Sequence, residues 1–363
     1  AEQLGIPRAH GSYEALLADD AVDAVYIPLP NQLHAEWTIA AARAGKHVLC
    51  EKPLALTSAD AQEMVDVCAV EGVKFMEAFM YRLHPSWLRV RELLAEGRIG
   101  EVRAFQSWFS YFNDDPDNIR NKVECGGGAL MDIGCYPINA ARMVFRREPT
   151  AVAGLMRRDP RFGIDVVTSA LLEFDSGQAT FTCSTQLEDY QRVHIGGTEG
   201  RIDVEIPFNI PPDQPTRIFV TAGGNPPVAP DTETITFDTR DQYTAEAEGF
   251  AAAILNDTPV PTPPEDGVAN LRVIEQLVAA SSGPVRRRPH RAHLPPRAGE
   301  GTRGRLALIQ VPPCRSVKTG LLVGGCGRRS QTEGAAPARQ VLYRYCSSAA
   351  STAARAWSRV VGK

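Results

Sequence analysis

Two residues in the most sharply patterned stretches of this chain could move a proton together. Lys52 stands in Cys50-Glu51-Lys52-Pro53. Tyr136 lies near the end of the run from Gly126-Gly127-Gly128 to Tyr136-Pro137. A cationic amine beside a phenol can take a proton from a hydroxyl or return one, if the fold joins them. A free phenol titrates near ~10, so reaching neutrality takes about three units, or roughly 4 kcal/mol. One ammonium at about 4 Å supplies about 4 kcal/mol at an effective dielectric near 20. Lys52 is therefore expected to poise Tyr136 for acid–base work. Asp132 lies four residues before Tyr136, which puts both on one face of a helix. Left unpaired, its charge would oppose a phenolate. Its expected role is to orient Lys52 or to bind a substrate hydroxyl. Taken alone, a buried tyrosine is a packed aromatic and a lone lysine is solvated; the surrounding motifs favour the chemical reading.

The elements that must position these groups fall into two blocks. Residues 1–84 alternate helix and strand. Val22–Pro28, His47–Cys50 and Val73–Ala78 read as buried strands, with helices over His34–Ala44 and Ser58–Glu71 ended by Gly45 and Gly72. Short strands joined by helices imply a parallel sheet. Residues 85–285 open with a helix over Ser86–Glu96. Strand-like runs follow from Val102 to Phe237, interrupted by a helix near Ala129–Phe145 and closed by helices over Tyr243–Leu255 and Glu265–Ala280. The expected class is α/β plus α+β: a truncated Rossmann nucleotide-binding domain, then a domain with a large, mostly antiparallel open sheet.

Charge separates a third region. Residues 286–363 hold 16 Lys/Arg against 2 Asp/Glu, whereas the remainder holds 23 against 41. A basic tail can be a nucleic-acid arm. This one lacks interleaved aromatics and any known module, so it reads as a disordered extension or as sequence translated out of frame. No nucleic acid and no membrane is expected as a partner. No apolar run reaches the roughly 18 residues of a membrane span. The 8 cysteines form no C-x-x-C pair, no set has metal spacing, and reduced core thiols fit a cytoplasmic protein.

Four phrases in order carry a resemblance. They are Ile27-Pro28-Leu29-Pro30-Asn31-Gln32-Leu33-His34, Gly45 through Ala55 around Glu51-Lys52-Pro53, Glu77 through Pro85, and Gly126 through Tyr136. The body resembles the GFO/IDH/MocA oxidoreductases over residues 1 to about 285. Tyr at 136, where many members carry His, looks like the branch of glucose–fructose oxidoreductase, dihydrodiol dehydrogenases and NADP-dependent xylose dehydrogenases.

The resemblance implies an NAD(P)-dependent dehydrogenase acting on a CH–OH group of a sugar, polyol or related diol, with no metal. NADP is favoured over NAD by the branch alone. A homo-oligomer built through the C-terminal sheet is also implied. Pro30, Asn31, His34, Glu51 and Lys52 become cofactor-binding candidates, with Glu51 near the nicotinamide ribose. Asn31 could equally cap a helix, and His34 could be structural. Lys52-Pro53 could be a cis peptide. Tyr81, Arg82, Asp132 and Tyr136 become substrate-side candidates; His84 and Trp108 are weaker ones. The triple glycine follows no strand and is read as a close backbone approach rather than a phosphate loop. Members begin with a strand, a glycine turn and a second strand that are not found ahead of Ala1, so the pyrophosphate turn is expected to be absent. Two other readings stay open: a non-catalytic nucleotide or sugar sensor, and an inactive fragment.

Overall fold

Strand and helix propensities are obeyed closely in the first block. In the computed structural model, which describes residues 8–223 and 231–281, β1 (Ala24–Ile27), β2 (His47–Glu51) and β3 (Phe75–Ala78) form a parallel sheet in that order. The register runs Ile27 to Cys50 to Glu77. Parallel strands buried on both faces read as continuous apolar runs, and β3 is buried throughout. Helix α1 (Tyr13–Leu17) precedes β1, while α2 (His34–Arg43) and α3 (Ser58–Val70) are the crossovers. Thr57 caps α3 by accepting from the Asp60 amide, which satisfies one of the orphan N–H groups of the first turn. The expected cap at Asn31 is not formed. A short 3₁₀ turn, Asn31–Leu33, precedes α2, and Pro30 stands at its N-cap without a side-chain bond. The basic tail and the first seven residues lie outside the described residues.

The second block opens with α4 (Pro85–Ala95), started by a proline at its first position and by His84, whose ring accepts from the Ser86 amide. Eight strands then form one sheet: β4 (Val102–Phe112), β5 (Ala151–Arg158), β6 (Asp165–Phe174), β7 (Gly177–Ser184), β8 (Gln186–Gly197), β9 (Gly200–Val204), β10 (Thr216–Ala222) and β11 (Thr232–Phe237). Their order is β11-β10-β9-β8-β4-β7-β6-β5. All neighbours are antiparallel except β4 and β7, which run parallel. Helix α5 (Cys135–Phe145) lies against β4, and α7 (Glu265–Ser281) lies against β5 and α3. The intervening α6 (Gln242–Leu255) packs Phe250 and Ile254 against Leu49, Met76 and Tyr26 of the parallel sheet.

Strand β6 alternates buried and exposed positions from Thr168 onward. One face of the large sheet therefore packs against helices and the other is open. The open face carries Trp108, Leu155, Leu171 and Tyr190 and holds a shallow depression of about 660 Å³. Beneath the covered face, Trp87 is fully buried and donates its indole N–H to Pro207 O at 2.6 Å. Each such large side chain contributes roughly 1.5–3 kcal/mol of burial. Among the described residues no helix is long and apolar enough to cross a membrane.

Candidate active site

The helix carrying Tyr136 begins irregularly, and the irregularity makes the site. Leu130–Gly134 is a π-helical turn leading into α5. In that register a carbonyl accepts from the amide five residues on. The Cys135 thiol donates to Asp132 O at 3.5 Å. The Lys52 ammonium donates to the same carbonyl, Asp132 O, at 2.8 Å and to the Asp132 carboxylate Oδ1 at 3.3 Å. Lys52 follows the end of β2, and the Lys52-Pro53 peptide is cis. Its Nζ lies 5.0 Å from the centroid of the Tyr136 ring. The structure thus brings Lys52, Asp132 and Tyr136 together.

Asp132 is shared. Arg120 Nε donates to the same Oδ1 at 3.1 Å, and the Tyr111 hydroxyl, near the end of β4, donates to Oδ2. Burial alone would raise the Asp132 pKa, but Arg120 and Lys52 hold the carboxyl far below its usual range. For Lys52, burial works against the charge, and the Asp132 carboxylate outweighs it, so its pKa is raised. Both side chains are thereby fixed as ions. An ammonium has three protons, and two of those on Lys52 are engaged by Asp132.

The glycine run places Arg120. Gly128 N donates to Arg120 O at 3.0 Å, and a Cβ on Gly127 would sit 2.4 Å from that oxygen. Gly128 has φ +120°, and a Cβ there would meet Asp165 Oδ1 at 2.2 Å. Asp165 in turn accepts from the Leu130 amide at 2.9 Å and so holds the start of the π turn. The expected close backbone approach is present.

Tyr136 departs from its expected tuning. The ammonium lies over the ring rather than at the hydroxyl, and the hydroxyl donates to Met80 Sδ at 3.6 Å. Phe79, Tyr81, Phe109 and Phe208 surround the ring with centroids 5.2–6.0 Å away. Burial pushes this phenol well above its ordinary pKa, and Tyr243, Glu51 and Asp132 add to the shift. The cost of dehydrating a phenolate in an aromatic nest exceeds what one cation returns. Tyr136 is therefore a neutral phenol in this structure.

Other expected residues sort by burial. Tyr81 is fully buried and donates to Asn139 Oδ1 at 2.6 Å, while Arg82 donates to Asn139 at 3.1 Å and to Asp266 at 2.8 Å. The polar atoms of both are bound to α5 and to the first turn of α7. His34 takes the structural place also open to it. Its ring is fully buried, 3.0 Å from Pro53 O and 2.8 Å from Leu29 O, and it ties the loop after β1 to the loop after β2. His84 caps α4, and Trp108 stands on the open sheet face, donating to Ser110.

The loops at the carboxyl ends of β1 and β2 are where a dinucleotide lies in such a sheet. Pro30 and Asn31 form the first, Glu51 and Lys52 the second. Asn31 donates to Gly126 O at 3.2 Å and so ties this edge to the glycine run. Glu51 accepts from the Tyr26 hydroxyl and from the Lys52 amide. A carboxylate acceptor beside an ammonium donor suits a ribose hydroxyl and the nicotinamide end of a cofactor. No described residue supplies a glycine turn for a pyrophosphate. Arg120, Tyr111, Tyr26 and Tyr243 were not expected from sequence. Arg120 sits in a polar loop with no period, and Tyr111 is one aromatic among several in β4.

Family models agree with this architecture. Residues 1–79 match the oxidoreductase family with the NAD-binding Rossmann fold, and residues 87–203 match the GFO/IDH/MocA C-terminal domain. This chain belongs to the GFO/IDH/MocA oxidoreductase family. It is 46% identical over 278 residues to an uncharacterized oxidoreductase, ORF334, of Rhizobium meliloti, covering 76% of this chain and 83% of that one. It is 40% identical over 279 residues to D-xylose 1-dehydrogenase (NADP(+)) 2 of Haloferax volcanii, with the same coverage of 76% and 83%. Among solved structures, the aldose-aldose oxidoreductase of Caulobacter crescentus, complexed with glycerol, superposes with TM-score 0.71 at 30% identity, covering 77% of this chain and 84% of that one. KijD10, a 3-ketoreductase of Actinomadura kijaniata solved with NADP and TDP-benzene, gives TM-score 0.67 at 32% identity, covering 74% and 81%. As a family member the chain is an oxidoreductase with an NAD(P)-binding Rossmann domain.

Proposed function

We propose that this protein interconverts a hydroxyl and a carbonyl on a sugar, with C1 of an aldose as the reacting carbon, using NADP in preference to NAD. The observation that carries the reading is the buried Lys52 ammonium, fixed by Asp132 over the Tyr136 ring with one proton not engaged by Asp132. Two relatives support it. The Haloferax volcanii enzyme is a D-xylose 1-dehydrogenase (NADP(+)). KijD10 has been solved with a lysine or a tyrosine replaced, and those two positions are as far apart along that chain as Lys52 and Tyr136 are along this one.

A bound nicotinamide supplies or takes up hydride at the reacting carbon. Proton movement falls to this chain. In the reductive direction the neutral Tyr136 phenol gives its proton to the oxygen that becomes a hydroxyl, and the Lys52 ammonium stabilises the phenolate left behind. Oxidation is the reverse: the substrate hydroxyl surrenders its proton to that phenolate. Asp132 keeps Lys52 charged and in place. Glu51 orients the nicotinamide ribose. The open face of the large sheet, with its exposed Trp108 and Tyr190, is where a homo-oligomer would form.

The test is turnover of D-xylose and D-glucose with NADP⁺ and with NAD⁺. We expect NADP⁺-dependent oxidation, and a loss of about 10²–10⁴ in kcat for Tyr136→Phe. Unchanged turnover in that variant sinks the mechanism. Failure to oxidise any aldose, with reduction of a keto sugar instead, would move the reacting carbon away from C1.

A further inference from the structure

Lys52 and Asp132 alone form a neutral pair. The charge that develops in the crevice is negative, on the substrate oxygen or on Tyr136. A neutral pair offers it only a dipole, and Glu51, held by the Tyr26 hydroxyl and the Lys52 amide, adds a further negative charge nearby. The third member of the cluster changes the balance. Arg120 Nε lies 3.1 Å from the same Asp132 Oδ1 that Lys52 reaches at 3.3 Å. Two cations thus divide one carboxylate oxygen, while Tyr111 occupies the other oxygen. The Lys52 ammonium keeps its best bond to the Asp132 backbone carbonyl, at 2.8 Å, and is only partly neutralised by the side chain.

We propose that Arg120 is a positioning residue acting through Asp132, which brings the summed charge of Lys52, Asp132 and Glu51 from −1 to zero and so lets the crevice accept the charge formed in proton transfer. The proposal rests on the reading of Lys52 and Tyr136 given above. Arg120 reaches the cluster from the loop between β4 and the π turn, and it is 39% exposed. That leaves it at the mouth of the crevice rather than in the core. Its backbone is fixed by Gly127 and Gly128, so the glycine run positions a charge as well as a helix. The groups facing Asp132 and Tyr136 are Lys52 and Glu51 from β2 and its loop, Arg120 from the loop, Tyr111 from β4, Cys135 from the turn into α5, and Tyr243 from α6. Arg120 is the cation among them whose loss leaves the Lys52–Asp132 contact itself in place.

Arg120→Gln and Arg120→Lys are compared with the parent protein by two measurements. The first is the pH profile of aldose oxidation. Oxidation needs an ionised proton acceptor, so activity climbs as pH rises through the kinetic pKa. Arg120→Gln is expected to move that limb upward by about one unit and to lower kcat/KM near pH 7 on the order of tenfold. Arg120→Lys should hold the limb near the parent value. The second measurement needs no turnover: competitive acetylation of Lys52 by acetic anhydride across pH, read by mass spectrometry. Two like charges on one carboxylate oppose each other, and Arg120 lowers the proton affinity of Lys52. Arg120→Gln should therefore make Lys52 less reactive at a given pH. A merely loosened site would make it more reactive. Equal behaviour of the Gln and Lys variants, or greater reactivity of Lys52 in Arg120→Gln, overturns the proposal. If the parent oxidises no sugar, the reading of the reaction fails, and the acetylation result still decides the role of Arg120.

Discussion

Two buried polar clusters flank Tyr136, and they differ in what they leave unused. One joins Tyr81 and Arg82 to Asn139, Asp266 and Arg142. Within it, Asn139 accepts from Tyr81 and Arg82 and donates to Asp266 at 2.7 Å, and Asp266 also meets Arg142 at 3.1 Å. The other joins Lys52, Asp132, Arg120 and Tyr111. Here a lysine keeps a proton beyond the two that Asp132 takes, and a guanidinium stands partly in solvent. A cluster whose donors are spent on its own acceptors specifies structure. A cluster with a fixed charge and a donor in reserve is arranged for a ligand.

That contrast is broken most directly by Lys52→Met. The side chain keeps its length and loses its charge. We expect kcat to fall by about 10²–10⁴, with the midpoint of thermal unfolding nearly unchanged. A variant that retains turnover would place Lys52 among the structural residues.

Asp266→Ala is the mirror experiment. It strips Arg82, 12% exposed, of its carboxylate, while Arg142 keeps both oxygens of Glu148 at 2.7 Å. Leaving a buried charge unpaired costs roughly 3–5 kcal/mol; with Arg82 still bonded to Asn139 and Asp266 itself 20% exposed, about 1–3 kcal/mol is expected here. Denaturant unfolding measures it. Turnover per folded molecule should stay close to that of the parent. A large loss of kcat with little loss of stability would show that the two clusters are not separate in function.

Glu77 sharpens the same comparison through pH. It lies near the end of β3 beside Asp266, Arg142 and Arg82, is 1% exposed, and has no side-chain hydrogen-bond partner among the described residues, with only the Leu54 backbone facing its carboxylate. Burial, with help from Asp266, pushes its pKa up to about 8. The folded chain therefore holds this proton more tightly than the unfolded chain, whose carboxyl titrates near 4.5. The stabilising contribution is fully present below pH 4.5 and is lost as pH rises toward 8. Glu77→Gln stays neutral throughout. Its stability relative to the parent should increase between those two pH values, by a few kcal/mol at most. Parallel stability–pH curves for the two proteins would refute the assignment.

How far these clusters could be seen in the sequence follows from what each motif encodes. The β1–β3 sheet, α2, α3 and most strands of the large sheet follow from apolar runs and glycine stops, which are local signals. Lys52, Asp132 and Tyr136 stood out because their flanking residues are unusual, and they do meet. What was not legible is relational. The lysine faces the tyrosine ring because a π turn presents the Asp132 carbonyl and carboxylate to it, and no periodicity announces a π turn. Arg120 enters through backbone contacts with Gly127 and Gly128, seven and eight residues away, from a loop whose composition suggests only turns. Tyr81 and Arg82 lie in a motif of the family yet spend their polar atoms internally, since their partners Asn139 and Asp266 come from helices far along the chain. The pKa of Tyr136 was misjudged because a pairwise Coulomb sum omits the desolvation set by four surrounding aromatic rings.

The smallest effect tests the structural cluster at its edge. Tyr81→Phe removes one hydroxyl and keeps the ring, which packs edge-on against Phe79, Trp87 and Phe208. The lost bond to Asn139 Oδ1 leaves that oxygen with Arg82 as a donor, so no acceptor is stranded. The cost should be about 1 kcal/mol, the net worth of an ordinary buried hydrogen bond. KM and kcat should both hold, because the hydroxyl points at α5 and not at the crevice. A rise in KM without loss of stability would return Tyr81 to the substrate side. The ring centroids of Tyr81 and Tyr136 are only 6.0 Å apart, so this substitution asks whether neighbours in one aromatic nest share a task.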